Sequence, residues 1–227
     1  MKKVFVLTIT VIGLSLCIVG CKEEKEEKDT TPPTISFLSN DPLVLDLGDK
    51  TAAMEGITAI DDVDGDITKS ITLLTELETI GSLTLKYTVS DAAKNTATAE
   101  RPAIIRSGKL AGEYDVSILS EDSVPYGTYT ITISERDTVN LTIKNLHNKS
   151  TWASVPLFPA EPGKMEIKAT GSFYDDKEGS DYKKITGEVL YENVNGKYLI
   201  TSLKYTLDPE DSGKKQSFSS SKCELKP

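Results

Sequence analysis

Apolar and polar residues alternate one by one along most of the chain, a pattern typical of a β-strand with one buried and one solvated face. The segment Leu83-Thr84-Leu85-Lys86-Tyr87-Thr88-Val89 shows this alternation cleanly. No apolar repeat of 3.6 residues is long enough to predict a useful amphipathic helix. Gly, Asp and Pro, which favour turns, separate the short apolar runs. The pattern therefore predicts an all-β protein.

The first part of the chain, residues 34–106, contains six short runs that predict strands. They are Thr34–Ser39, Leu43–Leu47, Ile57–Asp61, Ser70–Leu74, Ser82–Ser90 and Thr96–Ile105. Short strands at this spacing, separated by turn residues, favour a β-sandwich.

The second part, residues 108–227, predicts about eight more strands. Examples of its alternating runs are Met165–Ala169, Ile185–Tyr191, Leu199–Leu207 and Phe218–Leu225. Most links are short, and Asn195-Gly196 is a typical hairpin turn. Short links between successive strands favour an up-and-down antiparallel meander, and eight such strands close a small barrel. A second sandwich is the alternative.

The N-terminus is basic and then apolar. Lys2 and Lys3 precede the run Val4–Val19, and Cys21 follows Gly20. The run is shorter than the roughly 20 apolar residues of a membrane-spanning helix, so residues 1–20 read as a cleaved secretory signal. The cysteine after the cut resembles a bacterial lipoprotein signal, which implies lipidation of Cys21 and attachment to a membrane through this N-terminal anchor.

Residues 21–33 are expected to form a tether. Lys22–Lys28 contains no apolar residue, and Pro32-Pro33 cannot continue a helix. A lysine and two acidic residues after the cysteine resemble the export signal of surface lipoproteins in some Gram-negative bacteria. This resemblance implies an outer-membrane protein exposed at the cell surface. The alternative is a solvated charged spacer.

The net charge and the cysteine content restrict the classes of partner and the disulfides that this chain can form. The formal net charge of the whole chain is −9 at pH 7. An acidic chain of this kind argues against nucleic acid, which needs clustered Lys and Arg. Three cysteines are present, Cys17, Cys21 and Cys223. If the first two leave with the signal or carry lipid, Cys223 has no disulfide partner, and it is expected to be a small apolar residue in the last strand.

Several motifs resemble a family of bacterial surface immunoglobulin-like domains. The matching pieces are Asp29-Thr30-Thr31-Pro32-Pro33-Thr34-Ile35, Leu47-Gly48, Ala59-Ile60-Asp61-Asp62-Val63-Asp64-Gly65-Asp66, Tyr87-Thr88-Val89-Ser90-Asp91 and Asn95-Thr96-Ala97-Thr98-Ala99. The resemblance implies an immunoglobulin-like sandwich that acts as a spacer or adhesion module. In the second part, Gly112-Glu113-Tyr114 and the strand layout are similar to lipocalin-like barrels.

Catalytic motifs are absent from the sequence. The one histidine, His147, falls in a hairpin loop and is expected to be solvated. The chain has no Gly-x-Ser-x-Gly elbow, no His-Glu-x-x-His, no Walker loop and no dinucleotide fingerprint. We therefore predict no catalytic residues and no enzymatic activity.

The densest acidic cluster, Asp61-Asp62-Val63-Asp64-Gly65-Asp66, is a candidate calcium loop. Calcium binds six to eight oxygens, and Asp61, Asp62, Asp64 and Asp66 offer four carboxylates. The spacing does not fit an EF-hand. The alternative is an Asx-type turn between strands, with no metal and no other cofactor.

Eight of the nine tyrosines, and the one tryptophan, follow residue 108. Four tyrosines on the apolar phase are expected in the core: Tyr114, Tyr129, Tyr191 and Tyr205. Tyr126, Trp152 and Tyr198 fall on the other phase or in loops, so they are the candidate ligand-binding residues.

These features predict a surface lipoprotein with a sandwich spacer and a barrel that binds a glycan or a protein ligand without catalysis. Two alternatives remain open: a lipocalin-like carrier of a small apolar ligand, and a structural accessory subunit of an outer-membrane assembly. A carrier needs a hollow barrel, whereas a filled barrel with a broad apolar patch favours an assembly partner.

Overall fold

The structure is a computed structural model that describes residues 28–148, 154–175, 180–209 and 215–227. Within these residues the protein is all-β apart from short helical turns. The predicted signal sequence, the lipidation site Cys21 and the candidate ligand residue Trp152 lie outside the described residues. None of the helices in the described ranges is long and apolar enough to cross a membrane.

The first strands form two small sheets. Their bounds are β1 Thr34–Phe37, β2 Leu43–Asp46, β3 Ile57–Asp61, β4 Gly65–Asp66, β5 Thr72–Leu73, β6 Gly81–Ser90 and β7 Thr96–Arg106, with helix α1 at Lys50–Ala53 between β2 and β3. One sheet has the order β1-β3-β4 and the other β2-β7-β6-β5. All pairs are antiparallel except β2 with β7.

The alternation of side chains places one face of each of these strands in the core. Leu85, Tyr87 and Val89 on β6 are buried, whereas the residues between them are not. The Tyr87 hydroxyl donates to the Ala53 carbonyl at 2.7 Å, so the polar end of this ring is satisfied inside the core. The predicted sandwich-type arrangement follows from this pattern.

The remaining eight strands form a closed barrel. Their bounds are β8 Gly112–Ser120, β9 Pro125–Glu135, β10 Leu141–Lys144, β11 Val155–Glu161, β12 Lys164–Asp175, β13 Ser180–Val194, β14 Lys197–Pro209 and β15 Gln216–Leu225. Each strand pairs antiparallel with the next, and β15 closes the barrel by pairing with β8. The predicted eight-stranded meander barrel is therefore confirmed, and the alternative of a second sandwich is wrong.

The barrel interior is filled. Many inward side chains have no exposed surface at all, so no internal space large enough for water borders them. They include Val116, Ile131, Leu141, Ile143, Leu157, Met165, Ile185, Val189, Leu203 and Leu207. Tyr114, Tyr129, Tyr191 and Tyr205 are also buried, as the sequence predicts.

A β-bulge in β14 changes which residues face inward. Leu190 pairs with Ser202 and Tyr191 with Ile200, so Thr201 is the extra residue on its strand. Beyond the bulge Leu203 is buried, and before it Ile200 and Tyr198 are buried. Strict alternation would have placed Tyr198 outside.

The two ends of the barrel differ in their surroundings. The proximal end, where β8 begins and β15 ends, contacts the sheets of the first part. Tyr191 donates to the Glu78 carbonyl at 2.9 Å, and the Ser107 amide donates to the Thr138 carbonyl at 3.2 Å. The distal end holds the turn 121–124, the link after β10 and the start of β15. The predicted domain boundaries at 33/34 and near 107 stay a prediction.

Candidate functional site at the distal end of the barrel

Four rings meet at the distal end and form what we call the distal aromatic cluster: Tyr126, His147, Tyr205 and Phe218. Tyr126 stacks on His147 with the ring centres 4.4 Å apart, and Phe218 meets the His147 ring edge-on at 4.6 Å. Tyr205 stacks on Phe218 at 5.3 Å. These separations are those of favourable aromatic pairs. The cluster therefore forms a packed aromatic floor at this end of the barrel.

His147 is completely buried, so the expectation of a solvated loop histidine is wrong. Its Nδ1 atom lies 2.7 Å from the Tyr205 hydroxyl. Asn145 and Asn148 on either side have positive φ angles of 61° and 54°, which Asn tolerates better than most residues. The side-chain amide of Asn145 donates to the Thr130 carbonyl at 2.6 Å. This turn folds the histidine back over the barrel instead of leaving it in solvent.

The side chain beneath the aromatic floor is buried. Tyr129 lies beneath it and donates to the Leu146 carbonyl at 2.7 Å. Burial raises the pKa of Tyr129 to about 12, although its hydrogen bond with Tyr205 opposes this shift. The hydroxyl is therefore protonated throughout the physiological pH range.

A depression of 290 Å³ opens beside the cluster on the distal rim. Tyr126, which is half-buried, and Phe218 supply its aromatic wall. The rest of its lining is polar and comes from the end of β8, the following turn and the start of β15. These polar residues are Ser120, Glu121, Asp122, Lys215, Gln216 and Ser217. An aromatic wall beside convergent polar groups is the usual composition of a small-ligand site.

A larger groove of 480 Å³ begins at the same seam between β15 and β8 and continues over the outside of β12 to β14. Its walls carry opposite charges that are already paired with each other. Glu188 lies 3.6 Å from the Lys164 ammonium and 3.8 Å from that of Lys204. A ligand there would compete with these ion pairs. Lys215 of the smaller depression is also paired, with Asp208 at 3.0 Å. The smaller depression is the stronger candidate because the half-buried ring of Tyr126 lines it.

Tyr198, a predicted ligand residue, is only 7% exposed, so its expected exposure is wrong. Its ring lies at the proximal end against Gly48, where an added Cβ would be 2.7 Å from the ring carbon Cε2. Gly48 has a φ of +72° in the turn after β2. The bulge at Thr201 explains the error, because it turns Tyr198 toward the contact with the sandwich.

Cys223 lies in β15 opposite Val116, near the proximal end. Burial raises the pKa of its thiol to about 12, so the thiol is protonated at neutral pH. It is five residues along the strand from Phe218, which corresponds to about 17 Å. Cys223 and His147 therefore form no nucleophile–base pair, and the prediction of a packing role in the last strand is confirmed.

The structure does not bring the four aspartates of the candidate calcium loop together. The Asp61 carboxylate accepts hydrogen bonds from the amides of Val63 and Asp64 at 3.0 and 2.8 Å, which is an Asx-type turn. Asp64 accepts from the Ala92 amide at 2.7 Å. Asp66 accepts from the Thr68 amide at 2.9 Å, and hydrogen bonds from Thr68 lower its pKa. Asp62 is exposed.

Asp61 instead meets two residues from other segments. One carboxylate oxygen each of Asp29, Asp61 and Asp91 lies within 4.8 Å of the other two. Asp29 precedes β1, and Asp91 follows β6. All three occur in the motifs that carry the immunoglobulin-like resemblance, and reading those motifs as one folded unit is the signal that could have united them.

The two-sheet fold of the first part agrees with a family match. Residues 35–105 match the family model of the bacterial surface protein, Ig-like domain. The resemblance inferred from the motifs is therefore confirmed for this segment, which we call the Ig-like domain. No curated protein sequence matches the chain.

Solved structures give weak similarities. A lipoprotein from Bacteroides thetaiotaomicron is 16% identical, with a TM-score of 0.34, over 85% of this chain and 100% of its own. The CBM51-2 and INT domains of ZmpB from Clostridium perfringens, in complex with GlcNAc, are 16% identical, with a TM-score of 0.27, over 85% of this chain and 48% of theirs. Similarity at these TM-scores supports neither a shared fold nor a shared function.

Proposed function

We propose that this protein is a lipid-anchored protein of the bacterial outer surface that binds a glycan without catalysis. The Ig-like domain is the spacer, and the distal end of the barrel is the binding end. The observation that carries the proposal is the depression of 290 Å³ in which the half-buried ring of Tyr126 stands beside polar side chains.

A sugar ring has apolar faces and a rim of hydroxyl groups. Aromatic side chains are the usual partners of the apolar faces, and Tyr126 is the tyrosine that lines this depression. Its orientation is held by the stacked contact with His147. Glu121 and Asp122 can accept hydrogen bonds from sugar hydroxyls. Lys215, which forms an ion pair with Asp208 at 3.0 Å, can also donate to them. Because the ring is already ordered by its neighbours, binding costs little side-chain entropy.

The carrier hypothesis requires a hollow barrel. The described interior side chains are packed against one another, and Ile131, Leu141 and Leu203 have no exposed surface. The observations therefore favour recognition at the rim over enclosure of an apolar ligand in the lumen.

A glycan array probed with the full chain in mild detergent tests this function. We expect binding to a restricted set of glycans, and we expect Tyr126→Ala to weaken it about tenfold or more, since aromatic anchors dominate such contacts. Val124→Ala is the matched control, because Val124 is 58% exposed in the adjacent turn and does not line the depression.

A second variant tests the same depression in case Tyr126→Ala does not fold correctly. Lys215→Ala changes an exposed residue of the same depression and is expected to weaken binding while leaving the melting temperature unchanged. The proposal fails if the folded wild-type chain binds no glycan, or if Val124→Ala and Tyr126→Ala reduce binding equally.

A second candidate function, an accessory subunit of an outer-membrane assembly, is favoured by one surface of the Ig-like domain. Pro42, Val44, Pro102 and Ile104 form an apolar strip on the outer side of β2 and β7, and Val44 is 51% exposed. A photo-crosslinker at Thr84, which lines the same strip, would capture a defined partner in native membranes if this function holds. Absence of a specific adduct would remove this candidate.

A further inference from the structure

We propose that Asp29, Asp61 and Asp91 form a calcium site that fixes the end of the N-terminal tether to the Ig-like domain. The three residues come from three separate segments: the stretch before β1, the end of β3 and the turn after β6. Their carboxylate oxygens lie within 4.8 Å of one another. This inference is independent of the glycan proposal, which concerns the other end of the molecule.

The geometry suits one ion. Calcium–oxygen distances are about 2.3–2.6 Å, so two ligands on opposite sides of the ion are about 4.6–5.2 Å apart. Oxygens that all lie within 4.8 Å of one another can therefore touch one calcium ion. The three carboxylates supply one oxygen each at this distance, and water can complete the usual six to eight ligands.

Two carboxylate oxygens of these three residues are buried and without a hydrogen bond. Asp61 is only 4% exposed, and its Oδ2 atom accepts none. The Oδ2 atom of Asp29 is likewise buried and without a partner. Buried carboxylate oxygens without a donor are costly, because they have lost their water and gained nothing in exchange. A cation between them removes this cost.

The charges around the three aspartates also favour a bound cation. Within the described residues, no lysine, arginine or histidine forms an ion pair with Asp29, Asp61 or Asp91. Three carboxylates this close repel one another in a site of low dielectric constant. A divalent hard cation with oxygen ligands is the partner that this set of donors favours.

The surrounding hydrogen bonds hold the ligands in place. The Asn95 backbone amide donates to Asp91 Oδ1 at 2.8 Å, and its side-chain amide donates to Asp91 Oδ2 at 2.7 Å. Amides of the Asx turn occupy Asp61 Oδ1 and leave Oδ2 to the site. Asp29 Oδ1 accepts from the Thr31 amide at 2.9 Å. Such partners orient metal ligands.

The consequence concerns the tether. Asp29 stands shortly before Pro32-Pro33, so an ion bound here would fix the point at which the chain leaves the Ig-like domain. With calcium the tether would leave in one direction, and without it Asp29 would be held by hydrogen bonds alone. Calcium would thus set the orientation of the Ig-like domain relative to the segment that precedes it.

Isothermal titration calorimetry of the full chain in detergent with CaCl₂, after chelation, tests the site. We expect one ion per chain with a Kd on the order of 10⁻⁴ to 10⁻³ M, as in extracellular calcium modules. Asp29→Asn and Asp61→Asn should each weaken binding about tenfold or more, since ligand charge tunes affinity. Asp62→Asn is the matched control, because Asp62 is exposed in the same loop and outside the cluster.

Asp29→Asn alters a residue outside the hydrophobic core, so its folding can be verified by an unchanged melting temperature in chelator. The added calcium should raise the melting temperature of the wild type and of Asp62→Asn, but much less that of Asp29→Asn. The proposal is overturned if the folded wild type binds no calcium, or if Asp62→Asn abolishes binding while Asp29→Asn retains it.

Discussion

The two ends of the barrel use similar residues for different tasks. At the proximal end, Tyr191 and Tyr198 are closed over by the Ig-like domain, through the Glu78 carbonyl and the turn at Gly48. At the distal end, the barrel's own link carries His147 over the opening and leaves Tyr126 beside a polar depression. Large aromatic residues therefore lie at both ends of this barrel. Their neighbours distinguish the contact of Tyr191 and Tyr198 with the Ig-like domain, which we call the joint, from the candidate site at Tyr126.

A residue that falls off the apolar phase of a strand is not for that reason exposed. Tyr126 and Tyr198 look alike in the sequence, since both fall off the apolar phase. One is half-buried by neighbouring rings, and the other is buried by a second domain. Replacing each in turn is the direct way to separate the joint from the site.

The largest expected effect is at the joint. Tyr198→Ala should lower the free energy of unfolding by about 3–5 kcal/mol, as expected for loss of a buried aromatic side chain. Denaturant unfolding of the full chain measures this loss. A small loss of stability together with weakened ligand binding would reverse the assignment of the two ends and restore Tyr198 as a ligand residue.

The fold could be predicted far more fully than the positions of these residues. Alternation in Leu83–Val89 gives β6 because one face is wet and one is dry. Tyr198 was misplaced because a bulge at Thr201 changes the phase, and a bulge depends on pairing with another strand rather than on local sequence. A pattern with a period of two cannot show where one extra residue is accommodated.

The access of water to the two ends of the barrel can be compared through one buried tyrosine at each end. Tyr114 donates to the Leu110 carbonyl proximally, and Tyr129 to the Leu146 carbonyl distally. Burial raises both pKa values to about 12. The folded state thus keeps protons that the unfolded state releases near pH 10, so stability is full below about pH 10 and falls as pH rises toward 12.

Each tyrosine should contribute about 2–3 kcal/mol to this alkaline loss, at about 1.4 kcal/mol per pKa unit. Tyrosinate absorbance during alkaline titration, together with unfolding at several pH values, measures it. Tyr114→Phe and Tyr129→Phe should each flatten the decline by a similar amount. Titration of Tyr129 near pH 10 in the folded chain would show that water reaches the distal end and that Tyr129 is not buried in the way that Tyr114 is.

The turn at Gly48 offers a smaller test of the joint. Gly48→Ala introduces a Cβ 2.7 Å from the Tyr198 ring at a φ of +72°. Gly65→Ala is the control, because Gly65 has a φ of +73° and open space around it. Backbone strain of about 1–2 kcal/mol should be common to both, and Gly48→Ala should cost more. Equal losses in chemical denaturation would mean that the Tyr198 ring moves away freely.

The smallest effect is expected inside the distal aromatic cluster. Tyr205→Phe removes the hydroxyl that lies 2.7 Å from His147 Nδ1 and should cost about 1–2 kcal/mol. Tyr114→Phe at the proximal end is the matched control. A much larger cost for Tyr205→Phe, measured by denaturant unfolding, would indicate that this pair organises the whole distal link.

The candidate sites were only partly predictable. The sequence predicts Tyr126 as a ligand residue because it falls off the apolar phase of its strand, and in the structure it lines the depression. His147 was missed because a turn with two left-handed asparagines folds it inward, which its neighbours in sequence do not reveal. Asp61 was identified, but Asp29 and Asp91 were not grouped with it, because only tertiary packing brings these three segments together.

The strand edges of this molecule bear on association between copies of the chain. An exposed strand edge is a template on which a neighbouring chain can add a strand. The barrel has no such edge among its described strands, since β15 pairs with β8. In the Ig-like domain the edge strands β1, β2, β4 and β5 are only two to four residues long, and Pro33 and Pro42 precede the longer two. The edge strands themselves therefore offer a second copy of the chain few residues with which to pair.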